Sequence, residues 1–182
     1  MGTETSSHRD LEVFVADEQS QRPVDTATWA RLARAVLEEE GVEAELSVMF
    51  VSEEAMAALN RQFLGGEGAT DVLAFPIDDE PYGPGRAPDA GGTGPGWVPP
   101  EPDEVPDLLG DVVICPEVAW RQAAARRTSY EDELALLVVH GILHLVGMDH
   151  EEEPDASAMV AREQQLLGRH WHRRPGGGPP QG

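Results

Sequence analysis

The run His140-Gly141-Ile142-Leu143-His144-Leu145-Val146-Gly147-Met148-Asp149-His150 carries three of the chain's six histidines. His140 and His144 stand four apart, so a helix puts both rings on one face, one turn from each other. Gly147 can take a positive φ, end that helix and turn the chain back. His150 is thereby carried toward the same point. Three neutral imidazoles around one point, with a fourth position open, are the ligand set of a catalytic zinc. Upstream, Leu134 to Val146 is apolar on every side except at the two histidines and Gly141. Such a helix belongs in a core and is too short to cross a bilayer. Thr128 and Glu131 have the spacing of a capping box at its start. Imidazole is costly to bury without a partner. Two of them on an apolar helix therefore need backbone carbonyls or an ion, and three at this spacing favour the ion.

The rest of the chain is consistent with a protein built around that helix. Its 182 residues suit one domain with a sizeable core. The single cysteine, Cys115, rules out an intrachain disulfide and makes a reducing, cytoplasmic setting the default. It reads as a small buried apolar residue at a strand end. The sequence has no run resembling a signal peptide or a membrane span. The formal charge is -21, and all thirteen basic residues are arginine. That balance argues against loose binding of nucleic acid over the whole surface, and leaves room for a local arginine patch.

Read in order, Leu11 to Ala16 alternates as a short strand. Thr26 to Glu40 is an amphipathic helix with Trp29, Leu32, Ala33, Val36 and Leu37 on its apolar stripe, and Gly41 ends it. Glu43 to Val51 alternates again. Ser52 caps a second helix with Glu53 and Glu54 in its first turn. Met56, Leu59 and Phe63 face the core from it, and Gly65 breaks it. Thr70 to Pro76 and Leu108 to Cys115 are hairpin-compatible strands. Between them, residues 77–106 hold fourteen glycines and prolines in thirty positions, the composition of a flexible insertion. Pro116 opens a helix to about Arg126, the histidine helix follows, and Pro154 opens a last helix to Leu167. The order predicts an α+β fold: one mixed sheet of about four strands packed by about five helices, with a zincin-like metal helix. Residues 1–9 and 169–182 read as disordered tails around a single metal-dependent hydrolase domain at 10–168.

The spacing H-x-x-x-H-x-x-G-x-x-H also occurs in metzincin proteases. Those enzymes place a glutamate directly after the first histidine as general base. Here Gly141 occupies that position and cannot take a proton. A metallopeptidase would need a carboxylate supplied from elsewhere in the fold.

Three motifs together resemble the YbeY family of bacterial rRNA maturation factors. His140 to His150 matches its H-G-x-L-H-L-x-G-x-D-H signature. Leu59-Asn60-Arg61-Gln62-Phe63 with Thr70-Asp71-Val72-Leu73-Ala74-Phe75-Pro76 is similar to its L-N-x-x-[YF]-R…T-[DN]-V-L-S-F-P. Leu108-Leu109-Gly110-Asp111-Val112-Val113-Ile114 is similar to its L-G-D-[IVL]-V-I strand. The resemblance spans most of residues 11 to 168. It implies a zinc-dependent, single-strand-specific endoribonuclease acting in rRNA maturation at the 16S 3′ end and in ribosome quality control. It also implies rRNA, the small ribosomal subunit and ribosome-associated proteins as partners, and one zinc per chain on His140, His144 and His150. Two positions depart from the pattern: Leu64 replaces the arginine that many members carry, and Ala74 replaces a serine.

Substitutes for that arginine are Arg61, Arg121, Arg126 and Arg127. Asp149, Asp111 and Asp71 are the candidate catalytic carboxylates; each also fits a turn or strand end bonded to backbone. A zinc ion can acidify water and polarise a phosphate oxygen. Two other readings compete with the nuclease: the metallopeptidase, and a non-catalytic ribosome assembly factor with structural zinc. The latter would need a fourth protein ligand.

Overall fold

The computed structural model describes residues 11–77, 108–148 and 155–172. Within them the elements run β1 (Val13–Asp17), α1 (Thr26–Glu40), β2 (Glu45–Phe50), α2 (Glu53–Leu64), β3 (Val72–Pro76), β4 (Leu108–Ile114), α3 (Pro116–Arg126), α4 (Tyr130–Leu145) and α5 (Asp155–His170). The strands form one sheet in the order β1-β2-β4-β3. β1, β2 and β4 are parallel; β3 is antiparallel to β4 and forms an edge. The α+β architecture with a mixed sheet is thus the one expected. The terminal segment 1–9 and positions 78–106 of the insertion lie outside the described residues.

Side chains alternate across a strand, and the core divides accordingly. Leu46, Val48 and Phe50 of β2 and Val112 and Ile114 of β4 pack with α1, α4 and α5. Val113 and Leu73 turn the other way, onto Met56 of α2, with Cys115 and Val118 beside them. Helix α4 is central, packed against α1, α3, α5, β3 and β4. Its burial on nearly every side follows from the apolar run 134–146.

One glycine sets how close α4 comes to the sheet. A Cβ on Gly141 would stand 2.5 Å from Cγ1 of Val112, far inside van der Waals contact. The helix therefore meets β4 backbone to side chain, with His140 and His144 on another face. Gly110 does the same for the β3–β4 pair: at φ 147° its absent Cβ leaves room for the Phe75 carbonyl oxygen, 2.3 Å from where it would stand.

Both ends of α4 are capped, one of them differently from expectation. The N-cap is Ser129, not Thr128: Ser129 Oγ accepts from the Asp132 N–H at 3.0 Å. Thr128 is already engaged in closing α3. Arg127 takes the left-handed conformation there, with φ 58°, and the Thr128 N–H donates to the Ala123 carbonyl at 3.0 Å. At the other end Gly147 has φ 91°. Its N–H donates to the His144 carbonyl at 3.0 Å, and the Met148 N–H to the Leu143 carbonyl at 2.9 Å. That pair of bonds is a Schellman motif, and it ends the helix at Gly147, as the glycine's position implied.

Two further expectations shift. Phe63 is 46% exposed rather than buried, and meets the Phe75 ring edge-on with centroids 5.1 Å apart. Helix α5 runs to His170, not to Leu167, so Arg169 to His172 do not belong to a tail. Trp171 explains the extension. Its ring stacks on Trp29 of α1 at 5.3 Å, and its Nε1–H donates to Asp132 Oδ1 at 2.8 Å. Arg162 pairs with Glu40 at 2.6 Å, and Glu39 accepts from Arg169 and, at 2.5 Å, from His170. These ion pairs fix the rotation of α5 against α1. They hold the Glu39 carboxyl below its usual range, chiefly through the His170 hydrogen bond.

Candidate metal centre

His140 and His144 leave α4 on the face toward α5. Their Nε2 atoms lie 3.1 Å apart, with ring centroids at 4.6 Å and planes inclined by 76°. Two nitrogens each about 2.0–2.1 Å from a tetrahedral zinc ion stand about 3.4 Å apart. The 3.1 Å contact is a ring-to-ring hydrogen bond, and its length is close to the separation that two imidazole ligands of one ion require. Both are partly exposed.

Glu163 of α5 completes the described part of the site. Its Oε1 lies 2.6 Å from His140 Nδ1, on the far side of the ring from Nε2, and its side chain is 9% exposed. The sequence carried a signal for this residue. Met159, Glu163 and Leu166 occupy one stripe of α5, and the two apolar members are buried. A glutamate in the middle of a core-facing stripe is a break in the apolar pattern that marks the residue.

His150 and Asp149 lie outside the described residues. Among the described residues no group of three or more His, Cys, Asp and Glu is placed to hold an ion; the histidine pair is the part of the set that is described.

A sequence profile for Endoribonuclease YbeY matches residues 14–170. The chain belongs to the YbeY family. Endoribonuclease YbeY of Salinispora tropica is 44% identical over 161 residues, covering 86% of this chain and 94% of the relative. The Thermobifida fusca protein of the same name is 42% identical over 166 residues, covering 90% and 96%. The solution structure of a Thermotoga maritima protein has the same fold, with a TM-score of 0.52 at 23% identity, over 90% of this chain and 98% of that one. The chain is thus an endoribonuclease, a hydrolase acting on RNA.

The other candidates of this YbeY-family chain fall in different places. Asp71 sits at the entry to β3 with its oxygens engaged: Oδ1 accepts from the Val72 N–H at 2.9 Å and the Thr70 hydroxyl at 3.1 Å, and Oδ2 from Gln122 Nε2 at 2.9 Å. Asp111 follows Gly110 on β4. Since Val112 meets α4 and alternate residues face opposite ways, Asp111 lies on the face away from the histidine helix. Neither is brought to the imidazole pair by a described contact.

The four arginines divide equally. Arg121 makes a two-point contact with Glu53, at 2.8 and 3.0 Å. Arg126 pairs at 2.5 Å with Glu133, a carboxylate only 2% exposed. Burial pushes the Glu133 carboxyl above its ordinary range, against the pull of Arg126. Arg61 and Arg127 are exposed and make no ion pair among the described residues.

No described helix is long and apolar enough to cross a membrane.

Proposed function

We propose that this endoribonuclease is zinc-dependent and cuts single-stranded RNA in rRNA maturation, with α4 as a zincin-like metal helix. His140, His144 and His150 are the three ligands of one ion per chain. The observation that carries the proposal is the convergence of the His140 and His144 Nε2 atoms at 3.1 Å on a buried helix of a YbeY-family chain. An ion bound there supplies Lewis acidity toward water and toward a phosphate oxygen. The protein's own part is to present the imidazole lone pairs to one point, already aligned, from a helix wedged against the sheet. Asp149, next to His150 in sequence, is the carboxylate we assign to proton handling. Of the four candidate arginines we assign Arg61 and Arg127 to phosphates, since Arg121 and Arg126 are held by carboxylates and these two make no ion pair among the described residues. The substrate of this reading is the 16S 3′ end on the small ribosomal subunit, with a role in ribosome quality control, ribosome-associated protein partners and a cytoplasmic location. Residues 10–168 form the single hydrolase domain.

The peptidase reading needs a carboxylate base from elsewhere in the fold, since a side chain at Gly141 would meet Val112, and neither Asp71 nor Asp111 is brought to the imidazole pair by a described contact. The test is a three-substrate assay of zinc-loaded, untagged protein with single-stranded RNA, the same RNA annealed to its complement, and casein. Cleavage of the single strand alone is expected. Cleavage of casein, or equal cleavage of the duplex, contradicts the proposal.

A further inference from the structure

We propose that Glu163 is a positioning residue of the metal centre, setting the tautomer and the orientation of His140 so that Nε2 offers its lone pair to the ion. The inference rests on the zinc reading above and adds to it a residue from a different helix.

Packing alone does not call for a carboxylate at this position. Glu163 lies between Met159 and Leu166 on the buried stripe of α5, and is itself 7% exposed. An apolar side chain of similar volume commonly serves as well or better in such a place, because desolvating a charge is costly. What the carboxylate gains is one short contact, 2.6 Å to His140 Nδ1. With the carboxylate as acceptor of this contact, Nδ1 carries the ring proton and Nε2 the lone pair. Nε2 is the atom that faces His144. The alternative tautomer would place an N–H where the ion must bind. The same bond fixes the ring plane and raises the basicity of the ligating nitrogen. Because Glu163 reaches the ring from the side opposite Nε2, it orients the ligand without being one.

The fold guards this contact. Arg162, the preceding residue, is tied to Glu40 at 2.6 Å and to Glu39 at 3.3 Å. Rotation of α5 that would withdraw Glu163 from α4 therefore breaks the α1–α5 ion pairs.

The test compares the untagged wild-type chain with Glu163→Ala, Glu163→Gln, Glu163→Asp and His144→Ala. Zinc affinity is measured by chelator competition, together with the visible absorption of the cobalt-loaded forms. Thermal unfolding of the metal-free proteins checks that each variant folds. Glu163→Ala is expected to bind zinc about 10–100-fold more weakly, with an altered cobalt spectrum. Glu163→Gln keeps an acceptor oxygen in place and is expected to restore most of the affinity and the wild-type spectrum. Glu163→Asp keeps the charge but draws the oxygens back by one methylene, and is expected to fall below Glu163→Gln. If Glu163→Ala does not fold, the Asp and Gln variants decide. Folded Glu163 variants that all bind within twofold of wild type, with unchanged cobalt spectra, overturn the role of Glu163 and leave the metal centre standing. A wild-type chain that binds no zinc, or His144→Ala binding as wild type does, overturns the metal centre itself.

Discussion

Helix α4 has a buried carboxylate near each end, and the two have opposite partners. Glu133, in its first turn, is matched by the Arg126 guanidinium at 2.5 Å. Glu163, reaching over from α5 near the C-terminal end, is matched by the His140 imidazole at 2.6 Å. A guanidinium is charged at every working pH and has nothing further to offer. An imidazole has a second nitrogen, and fixing the first commits the second. The same expensive device, a carboxylate out of water, thus locks a helix corner at one end and, in the role we propose, orients a ligand at the other. Substitutions at the first end should move stability and leave metal binding in place; those at the second should do the reverse.

Gly141 lies between the two ends and should break that separation. Gly141→Ala drives a methyl into Val112, so α4 must lift from β4. A loss of about 1–3 kcal/mol is expected from overpacking, accompanied by weaker zinc binding; urea unfolding and chelator competition check both. If Gly141→Ala is as stable as wild type, the helix is not held at the distance described.

Arg126→Ala should lower stability alone, by about 1–3 kcal/mol, the lower part of that range being favoured because Arg126 is half exposed. The loss has a sign in pH. Burial raises the folded-state pKa of Glu133 above its ordinary value of 4.5, so the fold disfavours the ionised form. That penalty is absent below the unfolded pKa and grows as pH rises through the folded one. Without Arg126 the penalty is larger, so the variant should be closer to wild type at pH 5 than at pH 7.5. Equal deficits at both values would mean that Glu133 is not the group left stranded.

Smaller effects sharpen the corner further. Ser129→Ala removes the cap that displaced Thr128 and should cost about 1 kcal/mol, whereas Thr128→Ala should cost less. Arg127→Gly relieves a left-handed residue and should stabilise the corner by about 0.5 kcal/mol, read as a higher unfolding midpoint.

Much of this was legible in the chain's pattern. The apolar run around His140 and His144 forecast a buried helix, the glycine at 147 forecast its end, and the hairpin-compatible stretches 70–76 and 108–115 forecast the paired strands β3 and β4. What escaped was information held between elements. Thr128 and Ser129 are equally good caps locally; only the closure of α3 on Ala123 decides between them. The end of α5 depends on Trp171 finding Trp29, 142 positions away in a chain of 182 residues. Which face of the sheet Asp111 takes follows only from the direction of Val112 against α4. Glu163 was visible as a charge on an apolar stripe, but its meaning requires knowing which helix that stripe covers.

The central claim is that one ion sits where two imidazole nitrogens converge. Elemental analysis of the chain purified without a histidine tag, alongside His144→Ala and with cleavage of single-stranded RNA measured on the same samples, tests it most directly. One zinc per wild-type chain with cleavage, and neither zinc nor cleavage in His144→Ala, is the result expected. Full cleavage by metal-free wild type, or stoichiometric zinc retained by His144→Ala, would contradict it.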